Sequence, residues 1–204
     1  MQDKNKFMEN QEKSRKETGE ARFRKRQRDS IGSRFVGASL ATIKMKPEDA
    51  KKVATFLDEK KNFLVYCGSP GIGKTYLCSA LFEFAEIHFQ HYRYWSENDL
   101  LKRVRDSFEN IKGDYIDTLR FLLDDDFIML DDIGSAGHTD WREEILFAAI
   151  DFRYNSGLPT VITSNLSREE FHKKYHNRIY SRIFSSKNIV IEINDGVDLR
   201  QEGL

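Results

Sequence analysis

A chain of 204 residues with 39% apolar content is long enough for one domain with a sizeable core, which excludes global disorder. The 33 basic and 33 acidic side chains cancel, yet residues 1–30 hold ten Lys/Arg against six Asp/Glu, leaving 23 against 27 for the remainder. A uniformly basic coat for nucleic acid is thereby excluded, whereas a basic arm on an acidic body is allowed. No apolar run approaches a membrane span, and the polar Met1–Lys6 leads into no apolar signal region.

In chain order, residues 1–30 read as a basic arm or helix, and residues 31–204 as the folded domain. Phe7, Met8 and Phe23 are the arm's only large apolar residues, and Lys13–Arg28 sets eight bases against two acids. Such a segment buries little surface. It is either a disordered charged tail or an arm that docks on a protein or on nucleic acid. Pro47 suits the first turn of a helix whose apolar face is Ala50, Val53, Ala54 and Leu57. Phe63–Cys67 is a buried strand, and Leu77, Ala80, Leu81, Phe84 and Ala85 follow at helical spacing.

Between that strand and helix lies Gly68-Ser69-Pro70-Gly71-Ile72-Gly73-Lys74-Thr75, which fits G-x-x-x-x-G-K-[ST]. Each residue type has a chemical reason. Small residues let backbone N–H groups turn inward around phosphate oxygens. Lys74 reaches outer phosphates as a point charge, and the Thr75 hydroxyl suits Mg2+, which prefers oxygen ligands. The next helix points its positive end at the same anion. Upstream, Arg34–Ile43 either passes beside the base of a bound nucleotide or straps the core.

Tyr92–Trp95 is a second strand. Ser96 with Asp99 forms a capping signature for a helix with Leu101, Val104, Phe108 and Ile111 on one face. A further helix covers Tyr115–Leu123. Phe127–Leu130 followed by Asp131-Asp132 is a third strand ending in acids. Asp131 is placed in the outer shell of Mg2+ or to ligate it through water, and Asp132 to orient or deprotonate the water that attacks a γ-phosphate. Asp140 with Glu143 opens a long helix that Gly157 ends. Pro159–Ser164 is a fourth strand ending at Asn165, a γ-phosphate sensor or a turn residue. Ser167 with Glu170 starts a short helix, Tyr175–Phe184 is helical, and Asn188–Ile193 is a fifth strand. Arg178 and Arg182 fall four apart on one helix face, as an arginine finger or as a solvated pair. Cys67 and Cys78 read as small buried residues, which suits a reducing, cytoplasmic setting. Alternating strands and helices imply an α/β fold with a parallel sheet.

Gly68–Thr75, Phe127–Gly134, Thr163-Ser164-Asn165 and Arg178–Phe184 together resemble AAA+ ATPases of the bacterial replicative helicase loader group, the DnaC-type proteins and their IstB-like relatives. The resemblance covers roughly residues 34–200. It implies a P-loop three-layer sandwich with a five-stranded sheet in the order 5-1-4-3-2 and no C-terminal helical lid. It also implies ATP and Mg2+ as ligands, with Asp132, Asn165 and Arg182 as catalytic groups and Arg182 acting on a neighbouring subunit. The implied partners are a replicative helicase and single-stranded DNA, the latter met by Lys102, Arg103 and Arg105. Asp132 stands where many ATPases carry Glu, so slow hydrolysis is expected. Other readings are an IstB-type transposase helper, a small-molecule kinase and a non-hydrolysing nucleotide scaffold.

Overall fold

The computed structural model describes residues 19–60, 62–110 and 115–193. A helix over 19–31 (α1) precedes α2 (Pro47–Glu59), and β1 (Phe63–Gly68) leads through the glycine loop into α3 (Lys74–His88). β2 (Tyr92–Ser96), α4 (Glu97–Asn110), α5 (Tyr115–Leu123) and β3 (Phe127–Asp131) follow. Then come α6 (Asp140–Asn155), β4 (Thr160–Ser164), α7 (Arg168–Lys174), α8 (Asn177–Ile183) and β5 (Ile189–Ile193).

All five strands pair in parallel, in the spatial order 2-3-4-1-5, which is the expected 5-1-4-3-2. Side chains alternate along a strand, so each central strand feeds both faces. Phe63, Val65 and Cys67 of β1, with Ile128 and Leu130 of β3, pack against apolar residues of α4–α8. Leu64 and Tyr66, with Phe127 and Met129, pack against α2, α3 and Ile31 of α1. Every residue of β1, β3 and β4 is buried, as expected where helices cover both faces of a parallel sheet. Each fully buried Leu or Phe there contributes about 2 kcal/mol.

The elements follow local chemistry, with some departures from the sequence reading. The buried face of α2 is Val53 and Phe56, while Ala50 and Ala54 are exposed. Phe56 sets that rotation by packing 6.1 Å from Phe127, an area gain that two alanines cannot match. Thr139, not Asp140, caps α6 by accepting from the Arg142 N–H at 3.3 Å. The helix expected over 175–184 begins only at Asn177, because Tyr175 and His176 are extended and His176 is the cap residue. Ser96 and Ser167 cap α4 and α7 as expected, the latter with a complete capping box. In α4 Leu101 and Val104 are buried, whereas the Phe108 side chain and Ile111 lie outside the described residues.

Arg153 ties together the sheet end opposite the glycine loop. It is fully buried and donates to Thr160 Oγ1 at 2.9 Å and to the carbonyls of Leu123, Asp125 and Pro159 at 2.8, 2.5 and 2.7 Å. Desolvation lowers its pKa to about 10, against the pull of Asp125 and its acidic neighbours. Among the described residues no helix is long and apolar enough to cross a membrane.

Candidate functional site

The strand order sets β4 between β1 and β3, so the loops leaving these strands converge at one edge of the sheet. A cavity of about 410 Å3 opens there, lined by Gly71–Thr75, Asp131, Asp132, Thr163 and Asn165 together with residues of the 34–44 segment.

Gly68 turns the chain out of β1 at φ 136°. A Cβ there would meet the Ile193 carbonyl oxygen at 1.9 Å, so no side chain fits. The loop wraps the Lys74 ammonium, which is buried and donates to the Gly68 and Ser69 carbonyls at 2.8 and 2.7 Å. Thr75, the second residue of α3, donates its hydroxyl to Asp131 Oδ2 at 2.9 Å. Asp131 is buried at the end of β3 and is held from three more sides. Tyr94 Oη donates to the same oxygen at 2.7 Å, while the Thr163 hydroxyl and, at 3.8 Å, the Cys78 thiol address Oδ1. Burial and the neighbouring Asp131 carboxylate push the Tyr94 hydroxyl well above its usual pKa, so it remains a donor.

Asp132 adopts φ 59°, a left-handed conformation uncommon outside glycine. Its N–H donates to Thr163 Oγ1 at 2.9 Å, and its carboxylate accepts the Asn165 side-chain amide. Thr163 therefore braces both acids, one through its hydroxyl proton and one through its lone pair. The following loop is fixed by charge-assisted bonds. Buried Glu97 accepts from the Gly134 and Ala136 N–H groups, both at 3.0 Å, and Lys174 donates to the carbonyls of the same two residues.

Arg182 lies outside this cavity. It pairs with Asp151 at 2.5 Å, donates to the Arg178 carbonyl at 2.8 Å, and stacks with Arg178 on the Phe147 ring, at 4.9 and 4.2 Å from the centroid. Lys102, Arg103 and Arg105 are exposed on α4, and the Arg105 guanidinium lies over Trp141 at 5.3 Å. Both cysteines are buried free thiols. The 34–43 segment straps the core, as one of its two expected readings has it, and also lines the cavity. Phe35, Leu40 and Ile43 pack on the core, while Arg34, Phe35, Thr42 and Ile43 line the cavity.

Tyr94, Glu97 and Lys174 escaped the sequence reading as residues that build the site and its neighbouring loop. Tyr94 becomes legible only once β2 is known to pair with β3, in the register Tyr94↔Met129 and Ser96↔Asp131. The oxygen donors of Thr75 and Asp131 fit Mg2+, which takes few protein ligands and completes its shell with phosphates.

A parallel sheet in this order with the glycine loop after β1 and paired acids after β3 defines a P-loop nucleotide-binding protein of the AAA+ class. The family model for IstB-like ATP binding proteins matches residues 12–185, and the chain belongs to that family. The replicative helicase loader DnaC of Buchnera aphidicola (strain APS) is 25% identical over 171 residues, covering 76% of this chain and 67% of the loader. The Escherichia coli K12 loader DnaC is 23% identical, covering 64% of this chain, which spans about half (53%) of that relative. Among solved structures, the DnaC helicase loader matches with a TM-score of 0.67 at 25% identity, over 80% of this chain and all (100%) of that one. A DnaA initiator bound to AMPPCP and single-stranded DNA shares the fold, with a TM-score of 0.66 at 19% identity over 82% and 54% of the two chains.

Proposed function

We propose that this protein is an ATP-switched loader of a replicative DNA helicase, active in the cytoplasm, that hydrolyses ATP slowly and holds single-stranded DNA. The observation that carries the reading is the pairing of Asn165 with Asp132 beside a loop whose Lys74 and Thr75 face the same cavity. Lys74 exchanges the Gly68 and Ser69 carbonyls for the outer phosphates of ATP. Thr75 and Asp131 hold Mg2+, which neutralises charge on the phosphates when bound. Asp132, steadied by Asn165, orients the attacking water. Asp is one methylene shorter than Glu and reaches that water less closely, which supports slow turnover.

Arg182 completes the site from a neighbouring copy, leaving Asp151 to stabilise charge on the γ-phosphate. ATP thus joins subunits, and hydrolysis releases the partner. The basic segment 1–30 serves as the docking arm ahead of an ATPase domain over 31–204, and Lys102, Arg103 and Arg105 meet the DNA backbone. The likeness to curated helicase loaders supports this over the transposase-helper reading. The test measures ATP hydrolysis with and without single-stranded DNA, and ATP-dependent retention of a replicative helicase beside a transposase. Retention of the helicase with DNA-stimulated hydrolysis is expected. Retention of the transposase alone, on duplex DNA, would replace the reading.

A further inference from the structure

The basic helix α1 is tied through one buried amide to the 35–37 turn, whose Phe35 lines the cavity. Along α1 the inward residues are Phe23, Gln27 and Ile31, spaced four apart, while its arginines and lysine are exposed. Phe23 packs 6.0 Å from Phe82 of α3, and Arg26 pairs with Glu86 of the same helix. Gln27 is fully buried. Burying an amide costs free energy unless its bonds are met, and here they are. Gln27 Nε2 donates to Ser79 O at 3.1 Å and Ser79 Oγ at 3.0 Å, and Gln27 Oε1 accepts from the Gly37 N–H at 3.0 Å. Ser79 Oγ passes the chain on, donating to the Phe35 carbonyl at 2.7 Å. Both ends of the 35–37 turn are therefore pinned through Gln27 and Ser79. That turn carries Phe35 into the cavity wall beside Arg34, and farther along Thr42 bonds Tyr76 Oη at 2.7 Å. An apolar side chain at position 27 would pack without holding the turn, so the amide supplies position rather than mere burial.

Lys74, Thr75, Asp131 and Asp132 line the cavity together with Arg34, Phe35, Thr42, Ile43 and Lys44 of the preceding segment. Phosphates held at the glycine loop leave Phe35 and Ile43 as apolar lining suited to the flat base of a nucleoside triphosphate. We infer that Gln27 is a positioning residue for the base end of the nucleotide site, coupling the docking of α1 to nucleotide affinity through Ser79 and the 35–37 turn. The inference rests on the nucleotide reading above. A partner that engages the exposed basic face of α1 and draws the helix off α3 releases the turn, and with it the base, while the phosphate loop stays intact.

The test uses the full chain and two probes, ATP and inorganic tripolyphosphate, each titrated calorimetrically with Mg2+ present. Gln27→Met keeps the side-chain length but removes the amide, and Ser79→Ala breaks the same relay from α3. Both variants should bind ATP about tenfold more weakly, as expected for losing one or two such bonds, with tripolyphosphate affinity unchanged within about twofold. Unchanged ATP affinity in both variants overturns the inference, as does an equal loss for both probes, which marks a general loosening of the fold. A wild-type chain that binds neither probe removes the nucleotide reading itself, and this inference with it.

Discussion

The Asn165 side-chain amide donates to the Asp132 carboxylate, joining the ends of β4 and β3 in the wall of the nucleotide cavity. The bond fixes the Asp132 carboxylate although its backbone sits at φ 59°, so the acid is aimed rather than free to turn away. Under the proposed mechanism Asn165→Ala leaves ATP affinity within about threefold and lowers hydrolysis at least about tenfold, the worth of one aimed hydrogen bond in the transition state. Single-turnover hydrolysis beside equilibrium binding checks the split; equal losses in both would assign Asn165 to ground-state binding.

Tyr94 shares Asp131 Oδ2 with Thr75. Tyr94→Phe removes one donor to a buried carboxylate without opening a cavity. The Mg2+ concentration giving half-maximal nucleotide binding should shift by about three- to tenfold, with little change in thermal midpoint. A Mg2+ titration of ATP binding in both proteins measures it. A large fall in midpoint with no Mg2+ shift would make Tyr94 a packing residue only.

Arg153 predicts the largest stability loss away from the site. Arg153→Met leaves two buried carbonyls, one part-buried carbonyl and one hydroxyl without their donor, at a cost of about 3 kcal/mol or more. Urea unfolding should show a lowered midpoint with an unchanged slope. A midpoint within error of wild type would show that the sheet end relaxes around water.

The two thiols should be silent in the native state. Burial raises Cys67 to about 12, beyond the contribution of nearby Glu192, and Cys78 is raised by burial and by Asp131. Raising a thiol pKa removes its thiolate, so at pH 8 the reactive fraction of Cys67 is about one in ten thousand. A thiol reagent at pH 8 should consume both cysteines in denaturant and neither in buffer. Prompt reaction in buffer would mean that α3 or β1 opens readily.

The core of the fold was legible because its signals are local. The glycine loop, the apolar runs that end in Asp131 and Asn165, and the serine caps at Ser96 and Ser167 depend only on neighbours in sequence. What escaped depends on distant pairing. Gln27 looks like one more polar residue in a charged helix, and nothing nearby announces that Ser79 and Gly37 complete its bonds. Glu97 reads as an ordinary acid in a first helical turn until the sheet brings the 134–136 loop onto it. The rotation of α2 was missed for the same reason, since Phe56 is oriented by Phe127 from β3.

Under the proposed mechanism one subunit supplies the phosphate loop and another the arginine. Arg182 sits outside its own cavity, held by Asp151 and stacked on Phe147. The most direct test mixes two variants, each inactive alone: Lys74→Ala, unable to hold ATP but carrying Arg182, and Arg182→Ala, able to bind ATP but lacking the finger. If the site is shared, ATP hydrolysis in the presence of single-stranded DNA returns on mixing, to a substantial fraction of the wild-type rate. Full activity of Arg182→Ala alone, or a mixture no more active than its parts, would contradict it.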